Sequence, residues 1–202
     1  MQEKLLELLS ARTGHFLLES GHHGDLWLDL ESLFLNPRVV QPLVAELARE
    51  IAALRVDAIC GPLVEGAFVA IFIACELGID FTYTERFALP TSDGLFPAGY
   101  RLPAPQRSRV LGKRVVIVND VINAGSAVKG TFTALQGCGA QVVGIGSLLL
   151  LGKAASEFAS AHGLTLATLA THDNRLWRTA DCPLCASGIP LEDLGGFQAA
   201  FS

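Results

Sequence analysis

The chain has 202 residues, of which 50% are hydrophobic and 17% are charged. This composition excludes an intrinsically disordered chain, which combines low hydrophobicity with high net charge. The 15 basic and 20 acidic residues give a net charge of −5, which argues against a general binder of nucleic acids or membrane surfaces, because such binders need a basic footprint. We therefore expect no nucleic acid and no membrane among the partners.

The first fifty residues predict two helices separated by short strands. The leucines of MQEKLLELLS share one face, which predicts a helix over residues 2–10. Alternation over residues 26–30 predicts short strands, and Asn36-Pro37 opens a helix that continues to Ile51. The N-terminus lacks the basic-then-apolar order of an export signal, so we expect a cytoplasmic protein.

From residue 56 onward, apolar strands alternate with helices. We predict strands over residues 56–60, 81–84, 114–118, 141–150 and 164–169, and helices over 66–77, 127–136 and 154–162. This order predicts a parallel α/β sheet that binds its ligand at the carboxyl ends of the strands. Gly61-Pro62 is predicted as a turn, residues 87–109 as a lid-like loop with or without a hairpin, and the tail after Thr171 as irregular.

One segment carries the chemistry. Residues 114–127 read RVVIVNDVINAGSA, which is an apolar strand, an acid, a loop of small residues and the start of a helix. The backbone N–H groups of such a loop, with the helix dipole, form an anion cradle. Gly125 lets the backbone approach a phosphate, and Asp120 is placed to accept hydrogen bonds from sugar hydroxyls. Ser126 either adds a donor or caps the helix. The alternative is an ordinary turn with an Asx motif and a serine cap.

This segment resembles the 5-phosphoribosyl diphosphate (PRPP) signature of the type I phosphoribosyltransferases. Further segments resemble the orotate phosphoribosyltransferases in the same order: GHFLLESG (14–21), VDAICGPLVEGAFVA (56–70), FTYTER (81–86) and CPLCASGIPL (182–191). The resemblance implies an α/β fold with an open, twisted, mainly parallel sheet flanked by helices. It implies a single domain over residues 1–202, with an N-terminal hood (1–55), an α/β core (56–170) and an irregular tail (171–202).

The resemblance also implies an activity. These enzymes transfer the 5-phosphoribosyl group from PRPP to a nitrogenous base through an oxocarbenium-like transition state, with release of diphosphate, and the orotate branch serves pyrimidine nucleotide metabolism. The implied partners are PRPP and a nucleobase or nucleoside monophosphate, and the implied assembly is a homodimer. The implied cofactor is Mg²⁺ bound to the oxygens of the substrate, so we expect no metal bound directly by side chains.

The matching motifs assign roles to individual residues. Asp120 would bind the ribose hydroxyls, and Arg86 would pair with the diphosphate, although an ordinary surface arginine is the alternative. Asn123 stands where a threonine usually meets the base. The residues implied at the 5′-phosphate are Ala124, Gly125, Ser126 and Ala127. Those implied at the diphosphate are Gly61, Pro62, Gly66 and the loop between them.

Several positions depart from the family pattern. Asn119 replaces the first acid of the signature, and Glu65 replaces a lysine of the diphosphate loop. Glu19 replaces another lysine, and residues 87–100 contain no Lys, Arg or His. Lys153 is the nearest cation where the orotate enzymes present an arginine. These departures favour a second hypothesis, in which a weak or inactive phosphoribosyltransferase fold binds PRPP or a nucleotide as a sensor.

Two groups of residues raise the question of a metal ion. His22 and His23 with Asp25 could form a site, although adjacent histidines rarely bind one ion together. Cys182 and Cys185 form a single CxxC, and zinc needs about four ligands.

The upstream candidates to complete such a zinc site are His162 and His172, and a dimer could also complete it. The alternative is a tight turn with two packed thiols. The other three cysteines, Cys60, Cys75 and Cys138, have apolar neighbours in sequence and are predicted to be buried.

Overall fold

The computed structural model describes residues 2–18, 21–88 and 98–194. The N-terminal part contains helix α1 (Gln2–Leu8), strands β1 (Arg12–Leu17) and β2 (His23–Trp27), and helices α2 (Leu30–Phe34) and α3 (Pro37–Ala52). The alternation over residues 26–30 was predicted to be strand throughout, but β2 ends at Trp27. The Asp29 side chain accepts a hydrogen bond from the Ser32 amide at 3.0 Å and so starts α2.

The rest of the chain forms a six-stranded sheet with helices between its strands. In chain order its elements are β3 (Ala58–Pro62), α4 (Glu65–Leu77), β4 (Asp80–Ala88), β5 (Ala98–Arg101), α5 (Ala104–Arg107), β6 (Arg114–Ile122), α6 (Ser126–Gly137), β7 (Gln141–Leu151), α7 (Ala154–Ala161) and β8 (Thr165–His172). The strand order is β5-β4-β3-β6-β7-β8, and every pair is parallel except β4 with β5. This confirms the predicted open, mainly parallel sheet.

Both faces of the sheet are covered, because the central strands are apolar on both sides. Along β6, Val116 and Val118 join the core formed with α3 and α4, whereas Val115 and Ile117 join the core formed with α6 and α7. All four side chains are fully buried. A parallel sheet with helices on both faces is the arrangement that such continuous apolar strands favour.

In the core, one prediction needs correction and one open alternative is decided. Gly61 and Pro62 do not form a turn but end β3, because their backbone pairs with Tyr83 and Thr84 of β4. The described part of the 87–109 segment has the hairpin that was one of the two alternatives for this loop. It contains β5, which pairs antiparallel with β4, and the short helix α5. Residues 89–97, the middle of the predicted lid, lie outside the described residues, as does Glu19.

The tail contains short elements where an irregular segment was predicted. These are β9 (Leu176–Trp177), a 3-10 turn (Thr179–Asp181) and helix α8 (Pro183–Ala186). Strand β9 pairs with β2, which itself pairs with β1, so the tail completes a three-stranded antiparallel sheet in the N-terminal part. We call β1, β2 and β9 the hood sheet. No helix among the described residues is long and apolar enough to span a bilayer.

Candidate active site

The carboxyl ends of β3, β4, β6, β7 and β8 lie along one edge of the main sheet, which we call the carboxyl edge. Strand β3 pairs in parallel with both β4 and β6, so the residues that follow these strands emerge side by side. The structure therefore brings together the predicted diphosphate residues after β3, Arg86 on β4 and the signature residues after β6. This is the placement expected for the ligand site of an open α/β sheet.

The β3 loop, Leu63 and Val64, turns tightly between β3 and α4, and two glycines make this possible. A Cβ atom on Gly61 would collide with the backbone carbonyl of Gly66. A Cβ atom on Gly66 would collide with Oδ1 of Asn119 on β6 and with the ring of Pro62. The glycines thus allow the start of α4 to pack directly against the end of β6.

The β6 loop, residues 123–125, has the geometry of an anion site. Gly125 is the N-cap of α6 in the left-handed conformation, with φ of +75°, and no side chain caps the helix. Ser126 is the first residue of the helix and lies exposed. The serine-capped turn is therefore excluded, and the first amide groups of α6 remain available to an anion.

Lys129 is a cation next to this loop that was not among the predicted site residues. It lies one turn into α6, and its Nζ donates to the carbonyl oxygen of Ala124 at 3.4 Å. Its backbone amide also bonds to the carbonyl of Gly125 at 2.9 Å. The signal was present in its spacing, because a residue four positions after a helix N-cap returns to the same side of the helix. The side chain is exposed, so it adds positive charge beside the anion site.

The two residues at the end of β6 differ in environment. Asp120 is buried, with 2% of its surface exposed. Asn119 is half-buried, and its Nδ2 donates to the carbonyl of Val121 at 2.8 Å. Its Oδ1 consequently faces Gly66 at the start of α4. The carboxylate and the amide oxygen provide two hydrogen-bond acceptors at the end of β6.

Arg86 and Glu65 carry opposite charges at the same edge of the sheet. Arg86 is exposed near the end of β4, in register with Tyr100 of β5. Glu65 is half-buried and is the first residue of α4. An acid in the first turn is favourable to the helix dipole, but it reduces the affinity of this helix start for an anion.

Asn123 and Lys153, the two residues predicted to recognise the base, also lie at the carboxyl edge. Asn123 Oδ1 accepts a hydrogen bond from Nδ2 of Asn174 at 2.9 Å. Asn174 follows β8, and no sequence pattern indicates this contact because the two residues are 51 positions apart. Lys153 follows β7 and is exposed. The β6 loop is thus held from the side by the segment that leads into the hood sheet.

The arginines of the predicted lid segment have partners elsewhere. Arg109 pairs with Asp80 at 3.8 Å, and Asp80 begins β4, so this pair lies at the opposite edge of the sheet. Asp80 also bonds to Lys113, and this hydrogen bond is the main cause that holds the pKa of Asp80 below its ordinary value.

The other two arginines of the segment are also engaged. Arg107 donates to the carbonyl of Leu102 at 3.0 Å. Arg101 pairs with Glu85 at 3.4 Å near the end of β4. Of the three lid arginines, Arg101 is the one that stays near the carboxyl edge.

The cysteines divide into inert and clustered ones. Cys60 is buried in β3, and burial raises the pKa of its thiol, so it is a small core residue as predicted. Cys138 is half-buried, and Cys75 is exposed rather than buried. Residues 66–75 of α4 are apolar on every side of the helix, so the sequence does not indicate which side faces the core.

Cys182 and Cys185 contact neither His162 nor His172 but meet His15 and His23 in the hood sheet. Burial, followed by the proximity of His15, lowers the pKa of His23. The predicted grouping of His23 with His22 and Asp25 is not observed, because Asp25 instead pairs with Arg175 at 3.0 Å. His15 was missed because it lies more than 160 residues from the cysteines.

Comparison with known proteins agrees with this geometry. Residues 31–179 match the family model of the phosphoribosyl transferase domain. The sequence is 28% identical over 196 residues to orotate phosphoribosyltransferase of Caldanaerobacter subterraneus subsp. tengcongensis, covering 94% of this chain and 95% of that protein. Among solved structures, orotate phosphoribosyltransferase from Aeropyrum pernix superposes with a TM-score of 0.64 at 23% identity, covering 85% of this chain and 93% of that one. Adenine phosphoribosyltransferase from Trypanosoma brucei, in complex with AMP, pyrophosphate and ribose-5-phosphate, also gives 0.64, at 16% identity over 84% and 78% of the two chains.

Proposed function

Since this chain belongs to the phosphoribosyl transferase family, we propose that it transfers the 5-phosphoribosyl group of PRPP to a nitrogenous base and releases diphosphate. One observation carries the proposal. The uncapped start of α6 at Gly125 and the buried Asp120 lie on consecutive parts of one strand-loop-helix unit. An anion site next to a buried carboxylate is complementary to a phosphate attached to a sugar.

Each group then has a defined task. The first amides of α6, with Lys129, hold the 5′-phosphate, and Asp120 accepts hydrogen bonds from the ribose hydroxyls. The C1–oxygen bond to diphosphate breaks as a base nitrogen forms the new bond to C1. Arg86 stabilises the negative charge that develops on the leaving diphosphate. The protein contributes mainly by positioning the groups and by electrostatic stabilisation.

The oxygen donors at the carboxyl edge fit magnesium. The carboxylate of Asp120 and the Oδ1 atom of Asn119, which faces Gly66, can accept hydrogen bonds from the water molecules that Mg²⁺ keeps when it binds to substrate phosphates. Bound there with PRPP, the ion would neutralise diphosphate charge. Because Asn119 brings no charge, we propose that the substrate's own oxygens supply most of the ligands.

The base belongs to the orotate class in this proposal, because relatives that match almost the whole chain are named orotate phosphoribosyltransferase. Lys153 is the exposed cation that can attract an anionic base, and the Nδ2 group of Asn123 can face it. We expect weak turnover of orotate, because Glu65 opposes the diphosphate charge. The same residue favours the second candidate, a protein that binds PRPP or a nucleotide without efficient catalysis.

We further propose a homodimer, supported by an exposed apolar surface. Phe68 and Ile71 of α4 are 42% and 44% exposed, Val64 is 52% exposed and Leu35 is 82% exposed. The rings of Phe34 and Phe68 pack at 5.4 Å, which joins the end of α2 to this surface. A patch of this kind usually marks a protein interface.

The dimer is tested by sedimentation of the wild type and of Phe68→Arg at micromolar concentration. We expect a dimer that this substitution dissociates, with Leu111→Arg as the control, because Leu111 is equally apolar but lies outside the patch. A monomeric wild type contradicts the proposal.

We place the protein in the cytoplasm, because its five cysteines are all free thiols and such thiols persist in reducing compartments.

The decisive experiment for the activity is an assay of a panel of bases with PRPP and Mg²⁺, read as diphosphate release. We expect release with one pyrimidine-type base and binding of PRPP in its absence. PRPP binding without release for any base favours the sensor, and failure to bind PRPP contradicts both candidates.

A further inference from the structure

We propose that the hood sheet holds one zinc ion between His15, His23, Cys182 and Cys185. This site is separate from the proposed phosphoribosyl transfer and does not depend on it. Two ligands come from adjacent strands, His15 on β1 and His23 on β2, and two come from the CxxC turn at the start of α8. The ligand atoms of all four residues lie within 4.8 Å of one another.

Four of the six pairs of ligand atoms lie near the spacing expected around a tetrahedral ion. Bonds of about 2.0 Å to nitrogen and 2.3 Å to sulfur separate the ligand atoms of tetrahedral zinc by roughly 3.3–3.8 Å. In the structure, Nε2 of His15 lies 3.0 Å from Nδ1 of His23. Sγ of Cys182 and Sγ of Cys185 lie 3.4 and 3.7 Å from Nε2 of His15, and Sγ of Cys185 lies 3.3 Å from Nδ1 of His23.

Each imidazole ring is oriented by an oxygen atom that contacts the ring nitrogen facing away from the cluster. Nδ1 of His15 faces the carbonyl oxygen of Ile189 at 2.9 Å, which can only accept a hydrogen bond. The proton of neutral His15 is therefore on Nδ1, and the lone pair of Nε2 points into the cluster. Nε2 of His23 faces the Thr179 hydroxyl at 3.4 Å, which leaves Nδ1 to the cluster. A ligating histidine whose second nitrogen is held by an oxygen is the usual arrangement at metal sites.

The ligand set indicates both the metal and its role. Two thiols and two imidazoles in tetrahedral positions favour zinc over the hard cations, which prefer oxygen. Four protein ligands leave no open position, so the site is structural. The hood sheet needs additional stabilisation, because β9 has only two residues and a small sheet of short strands is marginally stable alone.

The zinc would also fix a segment that reaches the active site. Between β8 and the CxxC turn, Asn174 bonds to Asn123 of the β6 loop and Arg175 pairs with Asp25 of β2. An ion that ties the tail to β1 and β2 therefore limits the movement of Asn174. In this way the hood metal positions the β6 loop without touching a substrate.

The test begins with the metal content of the full-length protein, purified with a reductant and without chelators and then equilibrated with zinc. We expect about one zinc per chain, and a cobalt-substituted sample with the absorption bands of a tetrahedral cobalt–thiolate site. Cys182→Ser and Cys185→Ser should lose the zinc, while Cys75→Ser and Cys138→Ser should keep it. A serine variant that fails to fold leaves the decision to the wild-type cobalt spectrum.

Metal removal provides a second readout that does not involve activity. Chelation should increase hydrogen exchange at the backbone of residues 174–177 and leave β6 unchanged. A wild type that binds no zinc and shows no cobalt–thiolate band overturns the proposal, whether Cys182 and Cys185 are then found as thiols or as a disulfide. Because no assay in this series uses PRPP, its failure is distinct from failure of the proposed transferase function.

Discussion

The β3 loop and the β6 loop lie at the same edge of one sheet but have different suitability for phosphate. The β6 loop leads into a helix whose first amides are uncapped, with Lys129 beside them. The β3 loop makes a tight turn that the absence of side chains on Gly61 and Gly66 permits, and it leads into a helix that begins with Glu65. One loop therefore keeps the features of a phosphate site, while the other carries a charge that opposes diphosphate. We therefore expect the β6 loop to determine the affinity for PRPP and the β3 loop to limit the rate of its turnover.

The largest expected effect is on catalysis through the β3 loop. Glu65→Lys should raise any turnover of orotate by roughly 10–100-fold, since a preorganised cation at a leaving group typically contributes 10²–10³-fold. Steady-state kinetics with PRPP and Mg²⁺ measure the change. Glu76→Lys makes the same charge change on an exposed part of α4 and should have little effect. A wild-type turnover of roughly 1–10³ per second would show that other cations stabilise the diphosphate.

The β6 loop should control affinity rather than rate. Gly125→Val places a side chain at the phosphate and at a left-handed φ of +75°, and Asp120→Asn removes the charge that meets the ribose. We expect each change to weaken PRPP binding at least tenfold, or by about 1.4 kcal/mol, as measured by calorimetry. Gly112→Val is the matched control, because Gly112 has a φ of +71° with open space around it. Unchanged affinity in both loop variants would mean that PRPP binds elsewhere.

The tight packing of the β3 loop should make a substitution at Gly61 lower the free energy of unfolding. Gly61→Ala introduces a Cβ atom against the Gly66 backbone, and overpacking of this kind costs about 1–3 kcal/mol. Urea unfolding measures the loss. Gly137→Ala serves as a control, because nothing lies within 4 Å of its Cβ position, and it should not destabilise the fold. Equal stability of the two variants would show that the loop relaxes freely.

The smallest expected effect lies at the opposite edge, where no ligand is proposed. Lys113 lowers the pKa of Asp80 from its ordinary value of 3.8. The carboxylate therefore stabilises the fold fully above that value, and the contribution is lost as the pH falls through the lower pKa of the folded state. Asp80→Asn should slightly reduce the urea midpoint at pH 7, and the difference should vanish in acid. A difference in midpoint that stays the same as the pH falls from neutral through the acid range would exclude this ion pair as its cause.

The sequence predicted those parts of the structure that are determined by residues close together along the chain. The order of strand, acid, small loop and helix over residues 114–127 gave the β6 loop, the sheet type and the family resemblance, all of which are confirmed. The doubly covered sheet was evident from apolar strands such as 114–118. These features depend on local backbone preferences and on periodic burial, which a sequence displays directly.

The features that the sequence did not reveal depend on contacts between distant segments. The bond between Asn174 and Asn123 and the meeting of His15 with the CxxC turn require the tail to cross the hood. No periodicity encodes such crossings. A further case is Gly61, whose turn-like chemistry suggested a turn but whose backbone is held in β3 by pairing with β4. Tertiary contacts decided these positions against the local signals.

The position of β9 has a consequence for the biosynthesis of the chain. Strand β2 leaves the ribosome about 150 residues before the β9 segment, since Asp25 and Arg175 are separated by 150 positions. During that interval the nascent chain has β1 and β2 as a bare hairpin, which is marginal in water. The central α/β unit can assemble first, since its strands follow one another closely. The three-stranded hood sheet therefore cannot be complete until the β9 segment has been synthesised.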